Sequence, residues 1–124
     1  MANILLVDDD VDIIAMNKAV LESRGHAVTG AYSADEARAI LNRQRPDLVV
    51  LDIMMESQTA GLELAREIHE HAPDLPLVML SAIHEKTGAP FRFVPDEAWM
   101  PVQKFLDKPV DPVRLAEEIE GLLP

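Results

Sequence analysis

The chain has 124 residues, the size of one domain (residues 1–124) able to bury about two-thirds of its unfolded surface, and it has no cysteine, which excludes disulfides and thiolate metal sites. Twenty-two acids against eleven lysines and arginines leave a net charge of −11, which argues against a nucleic-acid partner and suits a divalent cation or a basic protein partner. The apolar runs are far too short to span a membrane, and Met1-Ala2-Asn3 leaves no room for a signal peptide before the first of them, so a cytoplasmic protein without a membrane partner is expected.

The first apolar run, Ile4-Leu5-Leu6-Val7, ends in three acids, Asp8-Asp9-Asp10. An unbroken apolar run of this length reads as a strand buried on both faces, as in a parallel sheet covered by helices. From Val11 the period becomes helical: Ile13, Ile14, Val20 and Leu21 share a face, Asp10 is placed to cap the helix, and Arg24-Gly25 stops it. His26 to Ala31 is a more polar strand, suited to a sheet edge. Ser33-Ala34-Asp35-Glu36 has the form of a capping box, and the helix that it opens buries Ala37, Ile40 and Leu41 before stopping ahead of Arg45-Pro46.

Asp47-Leu48-Val49-Val50-Leu51-Asp52 follows, a third strand whose apolar run again stops at an acid. Residues 53–61 read as a loop and Leu62 to His71 as a helix. Leu77-Val78-Met79-Leu80 is the fourth apolar run, ending at Ser81-Ala82. Between Ile83 and Val102 three prolines and a glycine break any long helix. Lys104-Phe105-Leu106 is a short last strand before Asp107-Lys108-Pro109, and Asp111-Pro112 gives the final helix an N-cap and a proline at its first position. That helix buries Leu115, Ile119 and Leu122. Strands alternating with helices imply a doubly wound α/β domain with a parallel sheet and right-handed crossovers.

In such sheets ligands bind beyond the carboxyl ends of the strands. Gathered there are Asp8, Asp9, Asp52, Ser81 and Lys108. Alone, each has an ordinary reading: an Asp after a strand caps or turns the chain, and a serine and a lysine are solvated. Together, three carboxylates repel unless a cation sits among them, and oxygen-only ligands favour a hard ion, Mg²⁺. A lysine and a hydroxyl opposite suit a tetrahedral oxyanion. This set describes phosphoryl transfer onto a carboxylate. The four histidines form no ligand set.

These residues, Asp8-Asp9, Asp52, Ser81-Ala82 and Lys108-Pro109, resemble in order and spacing the receiver domain of two-component response regulators (CheY-like), over essentially the whole chain. The resemblance implies a flavodoxin-like, five-stranded parallel sheet of order 2-1-3-4-5. It implies that Asp52 is the phosphoacceptor for a sensor histidine kinase or a phosphotransfer protein, in an Mg²⁺-dependent reaction that switches a surface for an unidentified downstream protein. By the same resemblance, Asp9 would bind Mg²⁺ directly, Asp8 largely through water, and the backbone carbonyl of Met54 would complete the protein ligands along with Asp52. Lys108 would pair with Asp52 and then with the phosphoryl group, Ser81 would swing toward it, and Phe105 would follow as an aromatic switch. Ala82 would be small to leave room, and the Lys108-Pro109 bond would be cis. The other reading of Phe105 is ordinary core packing.

Two stretches depart from the family pattern. Glu56 stands where a proline is usual, and Gly61 comes one residue late. With apolar Met54 and Ile83 flanking the site and unable to orient a water, a long-lived acyl phosphate is expected. Residues 83–102 replace a regular helix with an irregular segment holding Phe91, Phe93 and Trp99, readable either as a specialised docking surface or as a cover for the sheet. Two other functions compete. A Mg²⁺-dependent phosphatase with an Asp nucleophile needs a further acid two residues on, where Met54 stands. A pseudo-receiver would be a phosphorylation-independent interaction module. With no effector segment after the last helix, output through a partner protein is expected.

Overall fold

The structure is a computed structural model that describes residues 2–52, 60–81, 104–107 and 111–123, with Ala60, Ser81 and residues 104–107 described as backbone only. Five strands, β1 (Asn3–Val7), β2 (Ala27–Ala31), β3 (Leu48–Asp52), β4 (Leu77–Ser81) and β5 (Lys104–Asp107), alternate with helices α1 (Val11–Ser23), α2 (Ala34–Arg43), α3 (Ala60–His71) and, after β5, α4 (Pro112–Leu122). All strand pairs are parallel and the order is β2-β1-β3-β4-β5. The fold is therefore the doubly wound, flavodoxin-like α/β arrangement, with β3 at its centre. Residues 83–102, expected to be irregular, lie outside the described residues.

Alternation along the strands divides the core in two. Leu5, Val7, Val49, Leu51, Leu77 and Met79 pack beneath α2 and α3, against Ala37, Ile40, Leu64 and Ile68. On the other face Ile4, Leu6, Leu48, Val50, Val78 and Leu80 pack beneath α1 and α4, against Ile14, Leu21, Leu115 and Ile119. Because both faces are covered, all five residues of β3 are buried, which is why this strand reads as an unbroken apolar run.

The punctuation predicted from sequence is present. Asp10 accepts from Asp12 and Ile13 N–H at the start of α1. Gly25, at φ +93°, ends that helix: its N–H donates to Glu22 O at 3.0 Å and His26 N–H to Leu21 O at 3.2 Å, the paired bonds of a Schellman motif. Ser33 Oγ accepts from Glu36 N–H, while the Glu36 carboxylate reaches one residue past the expected partner, to Tyr32 N–H. Asp111 caps α4, with Pro112 in its first turn. Helix α3 begins at Ala60, two residues before the start expected at Leu62, because a first turn needs helical dihedrals but no large apolar side chain.

Candidate functional site

The acid run after β1 divides into three roles. Asp8 is 3% exposed, its N–H donates to Ala31 O at 3.0 Å, and its Oδ1 accepts from Asp10 N–H at 2.9 Å, a local turn of the kind that short acidic side chains make. Asp10 is turned away as the cap of α1. Asp9, between them, is exposed.

Asp52 closes β3 and is 5% exposed. Val7 pairs with Leu51 in the β1–β3 register, so the residue following each, Asp8 and Asp52, stands beside the other at the carboxyl edge of the sheet. One carboxylate oxygen from each of Asp8, Asp9 and Asp52 lies within 4.8 Å of the other two. Sequence reasoning thus named three residues that the fold brings together. Like charges at that spacing repel, and two of the three are removed from water. A hard divalent cation among them offsets both costs. The donor set is all oxygen, so it fits Mg²⁺ and not a soft transition metal.

Ser81 is the last residue of β4, one step beyond the Asp52–Leu80 pair, and its backbone pairs with Asp107 of β5. The residue after Asp107 is Lys108, which lies outside the described residues, as do Met54, Ala82, Pro109 and the aromatics of 83–102. Phe105 is placed by its backbone on β5, opposite Met79.

Sequence reading missed two features. Asn17, on the inward face of α1, is 4% exposed, and its amide oxygen has no hydrogen-bond partner among the described residues. Its position between Ile14 and Leu21 on the apolar stripe was the available signal. The other is an ionic clasp at the far end of the sheet. Arg24 grips the Glu120 carboxylate through Nε at 3.0 Å and Nη2 at 2.6 Å. His26 meets the same carboxylate through Nε2 at 3.0 Å and accepts Ala2 N–H on Nδ1 at 3.2 Å. With Nδ1 an acceptor, Nε2 carries the proton that goes to Glu120. The bidentate guanidinium and the imidazole pull the Glu120 carboxyl down to about 2.

Comparison with known proteins bears on this site. The response regulator receiver domain family matches residues 4–120. Transcriptional regulatory protein GlrR of Escherichia coli is 34% identical over 98% of this chain and 26% of its own length; the chain thus spans about a quarter of that relative. The crystal structure of NtrX from Brucella abortus in complex with ATP superposes with a TM-score of 0.81 at 35% identity, over 98% of this chain and 27% of that one. That of the response regulator TrrA from Thermotoga maritima in complex with Mg²⁺-BeF gives 0.79 at 28% identity, over 99% and 100%.

Proposed function

The chain belongs to the response regulator receiver domain family, and we propose that it is a phosphoacceptor module in which Asp52 carries the phosphoryl group. The observation that carries this is the placement of Asp52: it ends a fully buried central strand within 4.8 Å of two further carboxylates. Receiver domains bind Mg²⁺ at an acidic pocket, and Asp8, Asp9 and Asp52 form an acidic cluster of that kind here. Asp9, being exposed, is the direct ligand in this reading. Asp8, fixed by Asp10 N–H, acts largely through water, with the Met54 carbonyl completing the protein ligands.

The transfer follows from the groups. An Asp52 carboxylate oxygen attacks the phosphorus of a phosphohistidine on a histidine kinase or phosphotransfer protein. The new O–P bond forms as the P–N bond breaks, and the imidazole leaves with the bonding pair and takes up a proton. Mg²⁺, held by Asp8, Asp9 and Asp52, would supply the positive charge that lets phosphoryl oxygens approach three carboxylates. Lys108, which follows β5 in the sequence, supplies the cation that meets the phosphoryl oxygens. The Ser81 hydroxyl, at the end of β4, donates to the phosphoryl group, and Phe105 follows it as the switch that alters a protein-binding surface.

Incubation with acetyl phosphate and Mg²⁺, read by intact mass, tests the proposal. Wild type is expected to gain one phosphoryl group and Asp52→Asn none. A folded wild type that gains no mass would leave a phosphorylation-independent interaction module, and equal labelling of Asp52→Asn would place the acceptor elsewhere.

A further inference from the structure

We infer that the groove between α2 and α3 is a binding site for a small amphipathic anion, a carboxylate that carries a short apolar chain. The groove is separate from the acidic pocket. Arg45 and Leu75 line it, and they come just before β3 starts at Leu48 and β4 at Leu77. That puts it at the amino edge of the sheet, whereas Asp8, Asp9 and Asp52 gather at the carboxyl edge. Its volume is about 410 Å³, within the roughly 300–1,000 Å³ of small-molecule sites.

The two helices are braced by charge. Arg38 of α2 donates to both carboxylate oxygens of Glu67 on α3, through Nε at 3.2 Å and Nη2 at 2.6 Å, and reaches Asp35 through Nη1 at 2.9 Å. Leu64, Ile68 and Leu75 line the groove as members of the buried core. Leu41 and Ala72 pack on that core yet stay only partly buried, so the groove presents apolar surface to an occupant.

The charge of the lining runs against that of the chain. The molecule carries −11, but among the described residues Glu67 is the acid of this groove, and Arg38 neutralises it. Helices that follow parallel strands run side by side in one sense. One turn on from Arg38 and Glu67 come Asn42 and His71, with Arg45 just after α2. All three line the groove and are exposed. Arg45 and His71 have no ion-pair partner among the described residues. A guanidinium fork, an amide N–H₂ and a ring N–H present in either tautomer are all donors. Beside leucine surface, they match a carboxylate head with an apolar tail. A cation finds no free carboxylate in this lining, and a neutral apolar ligand leaves the donors to water.

Octanoate, kept below its micelle concentration, is the probe. Titration of the full chain followed by amide NMR is expected to give saturable shifts centred on residues 41–45 and 68–75. Affinity should rise about fourfold for each methylene added between hexanoate and octanoate. Octanol, and octanoate with Arg45→Gln, should each bind about tenfold or more weakly, as expected for loss of a hydrogen bond to a charged group. Because Arg45 is exposed, the variant should unfold thermally as wild type does. Octanol bound as tightly as octanoate, wild-type affinity in Arg45→Gln, or shifts that never saturate would overturn the anion site. Shifts at the same residues on raising protein concentration alone would assign the groove to a second copy of the chain and overturn it as well.

Discussion

Replacing Asp9 by asparagine should make the metal-free protein more stable and the Mg²⁺-loaded protein less so. The carboxylate oxygens of Asp8, Asp9 and Asp52 lie within 4.8 Å of one another, and at that distance a pair of unit charges in a water-like dielectric repels by about 0.9 kcal/mol. Asp9 is exposed, so the water-like value applies, and its two neighbours together cost just under ~2 kcal/mol. At physiological salt the Debye length of about 8 Å removes nearly half of that. Asp9→Asn should therefore gain about 1 kcal/mol in EDTA. With Mg²⁺ at a hundred times its dissociation constant, wild type gains about 2.7 kcal/mol. Losing a direct carboxylate ligand should weaken binding at least as much as the ~100-fold upper end seen for outer groups. At the same Mg²⁺ the variant then gains only about 0.4 kcal/mol, and wild type becomes the more stable by about 1 kcal/mol. Urea unfolding in EDTA and in Mg²⁺ reads both states. If the order does not invert between the two conditions, Asp9 is not the metal-facing member of the cluster and the electrostatic reasoning fails.

Two further outcomes follow from parts of the fold away from the pocket. The Glu120 carboxyl is lowered to about 2 by its bonds to Arg24 and His26; a group depressed on folding stabilises above its unfolded value near 4.5, and that stabilisation is lost as pH falls toward the folded value. Thermal unfolding between pH 6 and pH 2 should therefore fall more steeply for wild type than for Glu120→Gln, and parallel curves would show that the clasp contributes nothing. A Cβ placed on Gly30 would stand 2.9 Å from Ile14 Cγ2, so Gly30→Ala should cost about 1–3 kcal/mol in urea unfolding, and less in an Ile14→Ala background, where the methyl it meets is gone.

What the sequence made legible was whatever the parallel sheet forces to be continuous. Residues 4–7, 48–51 and 77–80 are buried on both faces, and such strands read as unbroken apolar runs, here too short to be helices. The edge strand Ala27–Ala31 betrayed itself by its polarity, and the helix ends by residues that bond within three or four positions. Asp8, Asp9 and Asp52 could be grouped because strand ends gather at one edge whatever the details of packing. Pairings set by how helices lean on the sheet were not legible. Arg24 and Glu120 are 96 residues apart, and Arg38 reaches Glu67 of α3 at 2.6 Å across 29; no local pattern marks either. Asn17 was hidden differently. A polar residue on an apolar stripe is visible, but only packing tells whether it is buried or turned to solvent.

The pocket depends on register more than on the acids themselves. Ile4 pairs with Leu48 and Leu6 with Val50, and all four belong to the core beneath α1 and α4. Alternation carries that side onward to Asp8 and Asp52, two residues beyond Leu6 and Val50. A slip of one residue between β1 and β3 would send one carboxylate to the face beneath α2 and α3 and leave the other alone. Such a slip is blocked by the same alternation, because it would also invert the side chains of a strand packed on both faces. The hydrophobic core thus fixes the separation of the carboxylates. A charge cluster that would repel itself apart on a flexible loop is held together here by the burial of neighbouring leucines and valines.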